Sequence, residues 1–186
     1  GVDLAQEHDV AEAHPEIVAK MRDHYARWWA QVEPRVNELS DLIIGSDAEP
    51  VTLLSAADWQ DVFLDQQQQV RRGELRSGPW GVEVAAEGTY EFGLRRWPRE
   101  ADLPLAAGAP PFQGRDGTFP AGKALPIAKA KLLVGTREQV QEVRDGEKFV
   151  RFVIPLAKGS VKVQTWFYDA QDNELCGAYY VYVHRR

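Results

Sequence analysis

The run Leu94-Arg95-Arg96-Trp97-Pro98-Arg99 sets one indole among three guanidinium groups. An indole face can stack on a sugar ring, while guanidinium groups pair with sulfate, phosphate or carboxylate through parallel N–H bonds. Trp97, Arg95, Arg96 and Arg99 are therefore the candidate ligand-binding residues, for a sulfated or otherwise anionic glycan. The same run also reads as a core or sheet-edge tryptophan flanked by solubilising arginines. Other residue types that carry chemistry lack the company they need. His8, His14, His24 and His184 have no metal-ligand spacing. Ser40, Ser46, Ser55, Ser77 and Ser160 sit in no Gly-x-Ser-x-Gly elbow. Cys176, the single cysteine, has no base beside it in Leu175-Cys176-Gly177-Ala178 and reads as a small buried hydrophobe. Asp58, Asp61, Asp65 and Glu83 lie near aromatics, as glycosidase carboxylates would, but nothing in the sequence brings them together. No catalytic or metal-binding residue is assigned.

Elements must position these residues, and the clearest is a helix. Ile17, Met21, Tyr25, Trp28, Val32, Val36 and Leu39 recur at helical spacing, with Val18 and Trp29 widening the stripe. Pro15 and Glu16 suit a first turn, and Pro34 predicts a kink or break near Glu33. So wide an apolar face predicts docking on the rest of the chain or on a partner domain. Beyond Asp41 the pattern turns to short β-type runs. They are 42–44, 51–54, 61–64, 80–84, 90–95, 128–134, 149–156, 161–168 and 178–184. The pairs 80–84/90–95 and 161–168/178–184 read as hairpins, the second across Asp169–Asn173. Residues 98–122, rich in Pro and Gly, read as a long loop, and Gln66–Gln69 as a loop or strand end. Trp80, after Gly78-Pro79, reads as core. Trp166 is either an outward platform or the surface that the helix covers, and the second is favoured. The fold class that follows is mainly β: an antiparallel, jelly-roll-like β-sandwich (40–186) with a long N-terminal α-helix (1–39) packed against it.

Bulk properties narrow the partners. A chain of 186 residues can bury a core of its own, and its net charge of −6 argues against sequence-independent nucleic-acid binding. No apolar run is long enough to span a bilayer. The opening Gly1-Val2-Asp3-Leu4-Ala5 is no signal peptide, which leaves room for an exported parent whose leader lies upstream. One cysteine excludes an internal disulfide or a thiolate metal cage.

Asp9-Val10-Ala11-Glu12-Ala13-His14-Pro15-Glu16-Ile17-Val18, with Met21 and Trp28-Trp29, resembles the segment that follows the catalytic domain of arylsulfatase-type sulfatases. Pro34–Glu38, Ile43–Ser46, Gly78-Pro79-Trp80, Leu94–Pro98 and Thr165–Asp169 resemble the C-terminal region of bacterial arylsulfatase-like proteins. The resemblance implies a C-terminal region without the catalytic domain. The Cys-x-Pro-Ser-Arg motif that yields formylglycine is missing, and Cys176-Gly177-Ala178 does not match it. Formylglycine and calcium would then belong to the parent alone, with no cofactor in this chain. The implied function is a non-catalytic accessory domain of a sulfuric ester hydrolase, inactive by itself, with the parent catalytic domain as partner in cis. Two alternatives stand beside it: a carbohydrate-binding module for sulfated or anionic glycans, and a structural or protein-interaction domain.

Overall fold

In the computed structural model, residue 3 and residues 5–186 are described. Gly1, Val2 and Leu4 of the opening segment lie outside the described residues. The chain divides into two compact units, Gly1–Leu39 and Ser40–Arg186. In the first, a 3-10 turn (Ala11–Ala13) leads into α1 (Pro15–Val32), with Pro15 in its first turn. Proline there costs nothing, since the first helical N–H groups have no partner within the helix. The helix ends before Pro34, and Glu33–Arg35 continue as a 3-10 turn. Tyr25, Trp28 and Trp29 cluster, with Tyr25 stacked on Trp29 at 6.2 Å. No residue of α1 is buried, and Met21 is 66% exposed.

The second unit opens with β1 (Leu42–Ile44), β2 (Val51–Ser55) and a short helix α2 (Gln67–Arg72). There follow β3 (Trp80–Val84), β4 (Gly88–Arg95), β5 (Phe112–Gln113) and β6 (Thr118–Phe119). Next come β7 (Lys129–Val134), β8 (Arg137–Glu142) and β9 (Val150–Leu156). The chain ends in β10 (Gly159–Tyr168), β11 (Glu174–Cys176) and β12 (Tyr180–Arg185). One sheet has the order β1-β3-β10-β7-β8, with β11 also on β10; the other has the order β2-β12-β4-β9. Between them lies one core. Trp80, Val82, Leu132, Val163 and Phe167 from the first sheet meet Leu54, Tyr90, Phe92, Phe152 and Val181 from the second, each fully buried. Burial of each such side chain contributes about 1.5–3 kcal/mol. The Trp80 indole also donates across the core to the Ser55 carbonyl at 2.6 Å.

The fold class read from the sequence is what the structure has: a mainly β, antiparallel sandwich and one long helix ahead of it. One pair departs from it, because β1 and β3 run parallel. The chain visits the other sheet as β2 before returning, so both strands enter in the same direction. The same alternation overturns both expected hairpins. β3 and β4 lie in different sheets, as do β10 and β12. The Asp169–Asn173 turn does close a hairpin, but onto β11. Its Asp169 carboxylate accepts from the Gln171 and Asn173 amides. After β11 the chain crosses sheets through Gly177-Ala178-Tyr179. The Ala178 amide donates to the buried Thr165 hydroxyl at 2.9 Å, and the Ala56 amide to the Tyr179 carbonyl at 2.8 Å.

Residues 61–64 form no strand, and Asp61 adopts a left-handed φ of 63°. The glutamine run is helical, not loop. The Oε1 of the buried Gln69 side chain accepts from the Asp65 and Gln66 backbone amides, and Gly73 closes α2 at a φ of 65°. β8 escaped the sequence pattern because all six of its residues are exposed, so it has no apolar alternation.

The crossing at Gly177 is tight. A Cβ there would meet the Trp59 ring at 2.8 Å and the Ser77 Cβ at 3.2 Å. Gly177→Val should therefore destabilise the second unit by about 1–3 kcal/mol. Urea unfolding followed by tryptophan fluorescence measures this, and a midpoint equal to wild type would show that the crossing has slack.

Candidate functional site

The four residues of the arginine–tryptophan run part company in the structure. β4 alternates, so Leu94 points into the core, Arg95 out, and Arg96 in again. Arg96 is fully buried and Trp97 is 4% exposed. The Arg96 guanidinium lies 4.5 Å over the Trp97 ring and donates to the Ala107 and Lys123 carbonyls. Trp97 donates to the same Ala107 carbonyl at 3.0 Å. These two residues cannot stack on or pair with a ligand from solution, which corrects their place among the candidates. Their work is to hold residues 98–122, a segment with little regular hydrogen bonding of its own. Arg71, 7% exposed, does the same from α2, donating to the Pro110 and Pro120 carbonyls at 2.8 and 2.7 Å. Two buried cations thus satisfy the backbone acceptors of a Pro/Gly-rich loop, and the loop's carbonyl dipoles offset the cost of burying the charges.

Arg95 and Arg99 point elsewhere and do come together. Both line a shallow groove of about 150 Å³ on the outer face of the second sheet. Strand register builds its floor. Tyr182, Gly93 and Arg151 lie side by side on β12, β4 and β9, with His184, Glu91 and Val153 in the row two residues along. Gly93 leaves the middle of the floor low. A Cβ there would meet nothing nearer than the Tyr182 carbonyl at 3.7 Å. Aromatic rings form the sides, each under a cation. Arg99 lies 3.9 Å over Tyr182, and Arg95 and Arg151 lie 5.4 and 5.7 Å from Phe149.

The charge around this groove is unbalanced. Glu91 is the one carboxylate lining it, and it is taken by Arg151 at 2.8 Å and Arg186 at 2.7 Å. Those two cations hold its carboxyl below the usual glutamate range, the Arg186 hydrogen bond contributing most. Arg95 is only 9% exposed, and its Nη1 is buried without a hydrogen-bond partner, as are the Arg71 and Arg96 Nε atoms; Arg95 alone of the three lines this groove. Burial pulls its guanidinium below the ordinary arginine value, yet arginine stays charged at any physiological pH. A buried, charged, unpartnered donor is costly, and an anion seated in the groove would relieve that cost.

The other aromatic face is occupied. Trp166 and Tyr168 do point outward from β10, but Lys131 lies 4.3 Å over the Trp166 ring. Cys176 is 4% exposed, and burial pushes its thiol up to about 11, so it is no nucleophile at neutral pH. The acids read as candidate partners are dispersed. Glu83 accepts from Ser160 at 2.7 Å, Asp58 ends a 3-10 turn, Asp61 lies in a bend, and Asp65 precedes α2. Among the described residues no group of three His, Cys, Asp or Glu side chains could hold a metal ion. Phe149, Arg151, Tyr182 and Gly93 were missed by the sequence reading, because only sheet register places them beside Arg95.

No protein-family profile matches the sequence, and no curated relative does. Solved structures give slight likenesses. A ruminal GH26 endo-beta-1,4-mannanase is 12% identical with a TM-score of 0.43, over 73% of this chain and 26% of that one. A CBM35 from Cellvibrio japonicus Abf62 is 12% identical with a TM-score of 0.40, over 72% of this chain and 91% of that one. The chain thus spans about a quarter of the mannanase. Neither structure is a sulfatase, and likenesses this weak decide neither family nor ligand.

Two outcomes follow from this geometry. Trp97→Ala should cost about 3–5 kcal/mol, as for other buried aromatics, and expose residues 98–122 to proteolysis. Intact, protease-resistant protein would contradict the bracing role. Glu91 has a folded-state value below its unfolded one, so its stabilisation is complete above the unfolded value and is lost as pH falls through the folded one. Glu91→Gln should therefore show a shallower acid loss of stability than wild type in the acidic carboxylate range. Parallel pH–melting curves would refute this.

Proposed function

We propose that the second unit is a binding module for an anionic sugar, seated in the groove between Phe149 and Tyr182. The observation that carries this reading is Arg95, which lines the groove and whose buried, charged Nη1 has no partner. Arg99 and Arg151 line the same groove. Phe149, 39% exposed, offers its ring to the apolar side of a pyranose, while the Tyr182 face is already covered by Arg99. Carboxylate and sulfate present the same pattern of acceptors to such a site, so either group on a sugar would fit. Of the arginines read from the sequence, Arg95 and Arg99 line this groove and are the ones this reading retains. The role of accessory domain to a sulfatase rests on the sequence resemblance alone and is compatible with a binding module. A Cys-x-Pro-Ser-Arg motif encoded upstream would support it, and an unrelated upstream domain would end it.

Calorimetric titration of the chain with glucuronate, glucose 6-sulfate and glucose tests the groove. Binding of the two acidic sugars, weakened by salt, and none of glucose is the expected pattern. Gly93→Val fills the floor with a side chain that strands favour, so it should abolish binding while leaving the melting temperature within a few degrees of wild type. Arg95→Leu should weaken binding by at least about tenfold, since losing a charged hydrogen-bond partner costs on the order of 2–5 kcal/mol. Wild-type affinity in Gly93→Val would remove the groove from consideration.

A further inference from the structure

The groove continues past Phe149 into a second recess. This larger hollow, about 520 Å³, is lined by Gln141, Glu142, Arg144, Glu147 and Lys148, and it shares Phe149 and Arg151 with the first. Phe149 is therefore a ridge between two hollows, and the residue is 39% exposed. The two hollows differ in charge. Around the first, Arg95, Arg99 and Arg151 face the single carboxylate Glu91. In the second, Arg144 and Lys148 balance Glu142 and Glu147, the shared Arg151 being spent on Glu91. Lys148 pairs with Asp102 at 2.5 Å, and the Glu147 carboxylate accepts from the Arg144 amide at 2.9 Å. The Gln141 amide donates to the Arg151 carbonyl at 2.8 Å, which ties the wall of the second hollow to the strand that carries the shared arginine.

We infer that the ligand is an acidic polysaccharide bound along its length, with an acidic residue in the first hollow and a neutral one in the second, across the Phe149 ridge. This rests on the proposed binding of an anionic sugar beside Arg95. A ring stacked on Phe149 puts its neighbours into hollows of different character: a cationic one that satisfies Arg95, and a charge-balanced one that offers hydrogen bonds without attracting a second anion. A chain of alternating acidic and neutral sugars matches that pattern. A chain charged at every residue adds a second carboxylate to a hollow whose cations are already balanced by Glu142 and Glu147. A monosaccharide fills one hollow only.

Calorimetry on the whole chain tests this with glucuronate, hyaluronan oligosaccharides of two to eight residues (alternating acidic and neutral) and oligogalacturonates of the same lengths (acidic throughout). Hyaluronan oligosaccharides should bind at least tenfold more tightly than glucuronate once they span both hollows, and oligogalacturonates should gain less. Glu142→Trp, which crowds the second hollow from an exposed strand, should erase the gain with length. Phe149→Ala should do so too. Glucuronate binding that depends on Arg95 but does not tighten with length in either series would overturn the inference and leave the anionic-sugar reading standing. An equal or larger gain for oligogalacturonates would overturn the assignment of a neutral second position. If no acidic sugar of any length binds, the anionic-sugar reading falls and this inference with it.

Discussion

The second unit depends on how it disposes of buried positive charge. Arg71 and Arg96 are driven into a sandwich that offers them no carboxylate, and they find backbone carbonyls instead. The acceptors come from the long segment between β4 and β7, whose prolines and glycines leave many carbonyls without a ladder. Each side solves the other's problem: the loop gains donors, and the cations gain dipoles. Trp97 completes the arrangement, sharing an acceptor with Arg96 and presenting its ring to the guanidinium. With the loop fixed behind β4, the other face of that strand is left clear for Arg95, Gly93 and Glu91.

Much of this was legible residue by residue and little of it pair by pair. Alternation located β2, β4, β7, β9, β10 and β12, and helical spacing located α1, because each buries or presents a face of its own. Strand pairing went astray because nearness in sequence suggests hairpins, whereas this chain steps between sheets almost every time it ends a strand. β11 has three residues and β8 has no apolar face, so neither leaves a trace in hydrophobicity. The fate of the arginine run could have been read. Leu94 must point inward, so the strand period sends Arg95 outward and Arg96 inward. Adjacent residues of one type were destined for opposite environments. Phe149 and Tyr182 carried no such signal, since their place beside Arg95 comes from register alone.

The two outer faces of the sandwich show how small a change separates a platform from a packed surface. Both carry aromatics and cations. On β10 a lysine lies on the indole and is itself 3.7 Å from Glu138, so the ring is already covered. On β4 the lowest point is a glycine, Arg99 covers Tyr182 on one side but Phe149 on the other is 39% exposed, and Glu91 is spent on Arg151 and Arg186. Aromatic content alone would have chosen Trp166. Vacant space and an unsatisfied donor choose the other face.

The anchoring of the long loop has a consequence for how such a chain can diverge. What Arg71 and Arg96 grip is main chain, which every amino acid supplies. The exposed side chains of that segment, such as Phe112, Arg115 and Asp116, are accordingly free to drift, provided the two arginines, the buried Leu105 and the close-packed Gly122 stay where they are. It is a socket that grips the backbone and leaves the exposed tip open to change.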